Sequence, residues 1–400
     1  QTKPKGYISY SKDYNPIREY WEQIQNGEIT VSRKVYQTYK KVIRDLDTEN
    51  VQMWYYSPAR GNHIIEFFEN YLRHSKGKMG GQRVILELWE KAMLATIFGF
   101  IDIEGNRKYQ KAGLIVGKKN GKSLLASGVG LYMQCADGES GPEIYSAATK
   151  KDQAKIIWLE SKRMVKKSPT LSKKVKALVA ELDSDFNDGV FKPLSSDSDT
   201  LDGLNIHCAL MDEFHQWKNG RPLYDILADG ISAREQPLIF MTSTAGVIRE
   251  DIYDQEYEDA STLIDSYDNP DIVTDERTIW FIYELDSRNE WTDEKCWYKA
   301  NPGLGTIKKY SYLKEKVDKA KQNPRLVKNL LCKEFNIRET SGEAWLTFEQ
   351  INNEETFDIS VLKPKYGIGG ADLSSTTDLT AAKIIFKFPD NNKIYVLQMY

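Results

Sequence analysis

Gly113-Leu114-Ile115-Val116-Gly117-Lys118-Lys119-Asn120-Gly121-Lys122-Ser123 is the stretch from which the rest of the chain is read. An apolar run leads into a short loop bracketed by glycines, and Leu124-Leu125-Ala126 then opens a helix-like segment. A buried strand, a basic glycine-bearing loop and a helix in that order form a phosphate-binding loop, because N–H groups at a helix N-terminus point outward and carry partial positive charge. Gly121 lets the backbone approach a phosphate oxygen, Lys122 faces the β- and γ-phosphates, and the Ser123 hydroxyl is offered to Mg²⁺. Gly117, Lys118, Lys119 and Asn120 complete the candidate nucleotide-binding set. The literal pattern G-x-x-x-x-G-K-[ST] is missed by one place: Val116 stands at the first glycine position, and Gly117 follows it.

A second stretch supports the first. Ile206-His207-Cys208-Ala209-Leu210-Met211 is mostly apolar and delivers two adjacent carboxylates, Asp212 and Glu213. ATP hydrolysis beside a phosphate loop needs one carboxylate for Mg²⁺ and one to polarise the attacking water, and Asp212 and Glu213 fit those roles. His207, Cys208 and His215 surround the pair. Successive strand residues point to opposite faces, and no second Cys/His pair has ligand spacing, so zinc is not expected there.

The chain has 400 residues, enough for two or three domains, and its apolar share of 40% supports ordinary cores. Lys+Arg 55 against Asp+Glu 58 gives a net charge of −3, so any nucleic-acid surface must be local. No apolar run reaches membrane-spanning length, no signal peptide is visible, and no membrane partner is expected. Cys135, Cys208, Cys296 and Cys332 are widely scattered, which suggests reduced thiols. The chain begins at Gln1, without methionine.

Periodicity places helices over Ile17–Gln25, from Lys34 onward, within 57–81 and over 84–100. Further helices are expected over Leu124–Cys135, from Thr149 (as cap) onward, and from Ser311 to Cys332 with a break at Asn323-Pro324. Strands are expected at Glu143–Ala148, Ile206–Asp212, Pro237–Gly246 and Thr278–Tyr283, and residues 183–203 read as a polar loop. Apolar strands ending in polar residues and separated by helices describe a mostly parallel α/β sheet, with ligands at the carboxyl ends of the strands. Lys122, Asp212 and Thr242-Ser243-Thr244 all fall there. Lysines 34–41, 162–167 and 173–176 make basic faces that are either solvated or turned to DNA phosphates, and solvation is favoured. Toward the end, Tyr366–Ser374 is a third strand-like run. Leu379–Phe388 and Lys393–Tyr400 bracket Pro389-Asp390-Asn391-Asn392 as a hairpin.

Taken in order, Asn26-Gly27-Glu28-Ile29, Lys118-Lys119-Asn120-Gly121-Lys122-Ser123, Ala209-Leu210-Met211-Asp212-Glu213, Thr242-Ser243-Thr244-Ala245-Gly246, Ala300-Asn301-Pro302, Glu343-Ala344-Trp345-Leu346 and Gly370-Ala371-Asp372-Leu373-Ser374 resemble the large terminase subunit of tailed bacteriophages. The resemblance implies an α/β P-loop ATPase of the additional-strand, catalytic-glutamate class, followed by the start of an RNase H-like nuclease domain. The implied division is a motor over residues 1–337 (helical region to about 105, P-loop core to about 300, helical linker subdomain 301–337), a linker over 338–365, and the first nuclease strands over 366–400, cut short. It implies a motor that hydrolyses ATP to translocate double-stranded viral DNA into a procapsid, with a metal-dependent endonuclease that cuts concatemeric DNA.

Under that resemblance Glu213 is the catalytic base, Ser123 and Asp212 hold Mg²⁺, and Thr242, Ser243 and Thr244 couple γ-phosphate sensing to movement. Asp372 is the first catalytic and metal carboxylate of a nuclease using Mg²⁺ or Mn²⁺, while Asp378 shapes its loop. Arg234, just before the coupling strand, is the candidate catalytic arginine reaching a neighbouring subunit, against the alternative of a surface ion pair. Implied partners are double-stranded DNA, a portal protein, a small terminase subunit and further copies in a ring on the procapsid, with a monomer in solution as the alternative. The implied location is the host cytoplasm. Two positions depart from the family pattern: Lys118 stands where an arginine is usual, and Trp89-Glu90 where Trp-Gln is usual. A helicase on the same sheet and a non-hydrolysing nucleotide-binding scaffold are the competing readings.

Overall fold

The computed structural model describes residues 6–48, 53–196, 203–248, 251–269, 275–340, 356–358, 366–372, 381–387 and 393–399. Two compact units divide the chain, Gln1–Ser341 and Gly342–Tyr400.

The first unit opens with helices set by their caps. In α1 (Pro16–Gln25) the Asn15 side chain accepts from the N–H groups of Ile17 and Arg18, and Pro16 supplies a pre-set φ. In α2 (Arg33–Asp47) Ser32 caps the N–H of Val35, and Val35, Tyr39 and Val42 form a fully buried stripe. The basic residues of this helix are engaged within the protein: Lys34 with Glu284 at 2.8 Å, Lys40 with Asp268 at 3.0 Å and Lys41 with Asp45 at 2.6 Å. A two-residue strand β1 (Tyr55–Tyr56) leads to α3 (Pro58–Tyr71), then α4 (Leu88–Gly99) and β2 (Phe100–Ile101), which pairs antiparallel with β1. Helix α4 starts later than periodicity places it. Glu87 is its N-cap, and the Glu90 side chain reaches back to the Glu87 N–H at 2.8 Å, closing a capping box.

The sheet follows: β3 (Lys111–Ile115), α5 (Lys122–Cys135), β4 (Glu143–Ala148), α6 (Lys151–Lys167), β5 (Lys176–Ala177), β6 (Leu182–Ser184), β7 (Gly189–Ser195), β8 (Ile206–Asp212), α7 (Arg221–Gly230) and β9 (Leu238–Ser243). After β10 (Val247–Ile248) and α8 (Ile252–Ser266), strand β11 (Thr278–Ile282) completes it, in the order β11-β3-β9-β8-β4-β7-β6-β5. Strands β11 through β7 run parallel, and β6 and β5 add an antiparallel edge. Strand β9 lies between the strand that enters the glycine loop and the strand that ends in Asp212, which is the additional-strand order.

Two expectations are corrected here. Residues 183–203 are not only loop: β6 and β7 lie there, because Leu182, Phe191 and Leu194 are buried while Asp183, Val190 and Lys192 between them are only partly so. Thr149 is not the cap of α6; Lys150 holds that position without a side-chain hydrogen bond.

Alternate residues of each central strand feed two cores. Cys208, Leu210, Leu114 and Phe240 join the helices α1–α6 on one face, while Ala209, Met211, Ile115 and Met241 pack against α7 and α8 on the other. A parallel sheet covered on both faces reads as a continuous apolar run, as these strands do. A third, separate core gathers Leu285, α9 (Trp297–Ala300), α10 (Tyr310–Gln322) and α11 (Val327–Phe335). Behind α11, β12 (Glu339–Thr340) pairs parallel with β10.

In the second unit β13 (Ile368–Asp372), β14 (Ala381–Lys387) and β15 (Ile394–Met399) form an antiparallel sheet in that order, with Asp372 opposite Ala381. The turn 389–392, Asp378 and most of the segment 341–365 lie outside the described residues. Among the described residues no helix is long and apolar enough to cross a membrane.

Candidate nucleotide-hydrolysis site

The site assembles at the carboxyl ends of β3, β8 and β9. Leaving β3, the chain takes positive φ at Lys119 (68°) and at Gly121 (85°), and α5 begins at once with Lys122. The first-turn N–H groups of a helix have no partner within it, so this loop presents donors to an anion. Lys122 is buried at 5% exposure; its Nζ donates to the Val116 carbonyl at 3.2 Å and lies 3.7 Å from Glu213 Oε1. Burial lowers its pKa, with the Glu213 and Asp212 charges opposing the shift. A desolvated cation of this kind gains from an incoming polyanion.

Register does the rest. In the ladder Asp212 sits beside Thr242. Asp212 Oδ1 accepts from Thr242 Oγ1 at 2.7 Å and from the Glu213 N–H at 3.0 Å, and Oδ2 accepts from Ser123 Oγ at 3.1 Å. Burial raises the Asp212 pKa, followed by repulsion from Glu213. A carboxylate and a hydroxyl held side by side form the hard oxygen donor set that Mg²⁺ takes. Glu213 leaves the strand in the left-handed region (φ 50°). Its carboxylate is part-exposed beside Lys122, and His215 Nδ1 lies 3.3 Å from Oε2.

Not every loop residue named from the sequence turns toward a ligand. The Gly117 N–H donates to Ala300 O at 2.9 Å and the Lys118 N–H to Lys333 O at 2.8 Å. Asn120 is fully buried, donating to Gly117 O (2.8 Å) and Asn301 Oδ1 (2.9 Å) and accepting from the Gly303 N–H (3.2 Å). A Cβ on Gly117 would meet Asn301 Oδ1 at 2.4 Å, so glycine is required there for close approach. These residues fasten the loop to the third core. Lys119 Nζ sits 3.9 Å above the Tyr312 ring.

Glu90 and Trp89 are both buried; Trp89 packs edge-on against Tyr283, and Glu90 Oε1 lies 3.4 Å from where a Cβ on Gly121 would stand. Burial pushes the Glu90 carboxyl up to about 8. Ser243 and Thr244 are buried at the end of β9. For Asp372 only the backbone is described.

Arg234 is the exception among the candidates. It pairs with Glu139 at 2.8 Å and donates to the carbonyls of Ser140, Gly141 and Asn205. Those groups precede β4 and β8, at the opposite end of the parallel strands from Asp212, so its guanidinium is engaged inside its own subunit. This placement favours the ion-pair alternative over an arginine extended to a neighbour.

Sequence reasoning passed over His215, Asn301 and Asn336 as working parts. Asn301 stands in a recognised triplet, but its partner Asn120 is distant in sequence. The Asn336 side chain accepts from the Ala245 N–H at 2.9 Å and donates to Tyr283 O at 2.6 Å, and nothing in its neighbourhood signals that.

The family model described as the terminase large subunit ATPase domain matches residues 88–262, and that described as the terminase large subunit endonuclease domain matches residues 272–399. The terminase large subunit of Enterobacteria phage HK97 is 24% identical over 82% of this chain and 62% of its own length. That of Lactococcus phage p2 is 24% identical over 95% of this chain and 67% of its own. The chain thus spans about two thirds of the length of these relatives. The crystal structure of the HK97 bacteriophage large terminase has the same fold, with a TM-score of 0.60 and 22% identity over 85% of this chain and 67% of that one. Two successive domain models of one protein, matched in order along a chain with this sheet, establish that it belongs to the terminase large subunit family.

Proposed function

We propose that the first unit hydrolyses ATP to move double-stranded viral DNA into a procapsid, and that the second belongs to a divalent-metal-dependent endonuclease that cuts concatemeric DNA. The observation that carries the motor reading is the meeting of Lys122, Ser123, Asp212 and Glu213, from two distant stretches of sequence, within hydrogen-bond or ion-pair reach of one another. Lys122 and the first-turn N–H groups of α5 hold the phosphates. Ser123 and Asp212 hold Mg²⁺, which when bound neutralises phosphate charge. Glu213 orients the attacking water and accepts its proton. Thr242, bonded to Asp212, and Ser243 and Thr244 beyond it relay the state of the site along β9. Asp372 supplies the first carboxylate for Mg²⁺ or Mn²⁺ in the nuclease. A domain division at about 337–366, near the boundary between the two compact units, belongs to the same proposal, as do a portal protein, a small subunit, a ring of copies on the procapsid and the host cytoplasm. Arg234 is left out of the catalytic set.

The test is Glu213→Gln, which keeps shape and removes the base. Binding of a fluorescent ATP analogue stays within about twofold while turnover falls by roughly 10²–10⁴. Turnover at the parental rate would remove Glu213 as the base and with it the motor reading.

A further inference from the structure

We infer that His215 is a positioning residue that ties the Glu213 carboxylate to the end of β9, so that the base and the relay strand move as one. The inference rests on the ATP-hydrolysis reading above. His215 follows Glu213 on the short turn after β8 and is nearly buried, with 11% of its side chain exposed. It touches both partners. Its Nδ1 lies 2.9 Å from Ser243 Oγ and 3.3 Å from Glu213 Oε2, and its backbone N–H points to the same Ser243 oxygen at 3.3 Å.

The direction of these bonds follows from counting protons. Ser243 has one hydroxyl hydrogen, and it is donated to the Thr244 carbonyl at 2.9 Å. Ser243 Oγ therefore accepts from the imidazole, so Nδ1 carries the hydrogen. The same N–H faces the carboxylate oxygen of Glu213, which can only accept. One donor is thus shared between the base and the strand. The ring is also backed closely by the chain: a Cβ on Gly246 would lie 3.1 Å from His215 Cδ2 and press on the imidazole.

The connection runs on beyond Ser243. Val116, at the start of the glycine loop, donates its N–H to Ser243 O at 3.2 Å, and Ala245 donates to the Asn336 side chain at the end of α11. A shift of Glu213 during turnover is therefore carried by His215 into the strand end that holds both the loop and the third core. Asp212 has its own link to the same strand through Thr242, so each carboxylate of the doublet is read by one residue of β9.

The experiment measures steady-state ATP hydrolysis by the 400-residue chain and its variants, with fluorescent-nucleotide binding and melting as checks of folding. His215→Ala lowers kcat about tenfold and leaves KM within about twofold, because the base is mis-set while the phosphate contacts stay. Ser243→Ala lowers kcat in the same direction, and the double variant is no slower than His215→Ala, the mark of one shared interaction. His215→Asn, whose amide places a donor near the position of Nδ1, recovers kcat to within about threefold of the parent. A parental kcat in His215→Ala, multiplying losses in the double variant, or no recovery with asparagine would overturn the inference. Glu213→Gln run beside them separates the two failures. If it is inactive while His215→Ala turns over normally, only the positioning role falls; if it is active, the underlying reading falls as well.

Discussion

At the scale of single residues, Glu90 shows how burial changes what a side chain can offer. A carboxylate, unlike the glutamine amide usual at this place, has no donor. Burial beside Gly121 raises its pKa from the usual 4.5 to about 8; the negative charges of Glu87 and Glu69 add to the rise, and the Glu87 N–H bond and Lys91 oppose it. The neutral acid then has one donor and one acceptor, as a glutamine amide does. The folded chain holds this proton more tightly than the unfolded one. Stability from this group therefore falls as pH rises from about 4.5 and stops falling near 8, a change on the order of several kcal/mol. Glu90→Gln removes that slope: the difference in melting temperature between variant and parent widens from pH 5 to pH 8. Parallel melting curves across that range would mean the carboxyl is ionised in the fold.

At the scale of elements, the site is held from outside the sheet. Asn301, fully buried behind α9, donates to the Trp297 and Glu334 carbonyls and accepts from Asn120 at 2.9 Å and from Lys308 at 2.5 Å. Lys308 is in turn paired with Glu334 at 2.7 Å, both nearly inaccessible. Removing Asn301 leaves a buried amide and a buried ammonium short of an acceptor, at a cost of about 2–4 kcal/mol. Asn301→Ala is expected to lower the melting temperature and weaken ATP-analogue binding severalfold, although the side chain touches no nucleotide contact directly. Unchanged nucleotide affinity in a destabilised variant would show that the loop keeps its shape without this fastening.

The strands themselves were legible from their apolar runs. β4, β8 and β11 lie within a residue of where the sequence places them, while β3 begins three residues before its apolar run and β9 ends three before Gly246; interior parallel strands need apolar side chains on both faces. The strands β6 and β7 escape a reading by composition because Asp, Ser and Gly crowd the stretch around them, and only Leu182, Phe191 and Leu194 mark their buried side. The late start of α4 turns on one side chain folding back on its own cap, which periodicity does not record.

At the scale of the molecule, charge and placement bear on assembly. With a net charge of −3 and the basic residues of α2 consumed in internal pairs, the sequence does not mark a DNA surface by composition. Arg234 belongs to this scale too, since an arginine completing a neighbour's site acts only in a ring. Its ties to Glu139 and three carbonyls predict that Arg234→Ala destabilises the chain by about 1–3 kcal/mol and leaves ATP turnover per folded molecule unchanged in the assembled motor. A fall in turnover in mixed rings, scaling with the share of variant subunits, would return it to the catalytic set.

Local chemistry written in consecutive residues was determined by the sequence alone: a glycine-bracketed lysine loop after an apolar run, a carboxylate doublet at the end of another, and hydroxyls at the end of a third. Each needs only its own backbone periodicity to be recognised. Tertiary structure decided which of those residues face one another and which face inward. The Asn120 side chain turns inward and fastens the loop, Arg234 lies at the far end of the strands, and His215 lies between Glu213 and Ser243. The reason is that hydrogen bonds between residues far apart in the chain depend on strand order and register, and no local pattern of residue types encodes either.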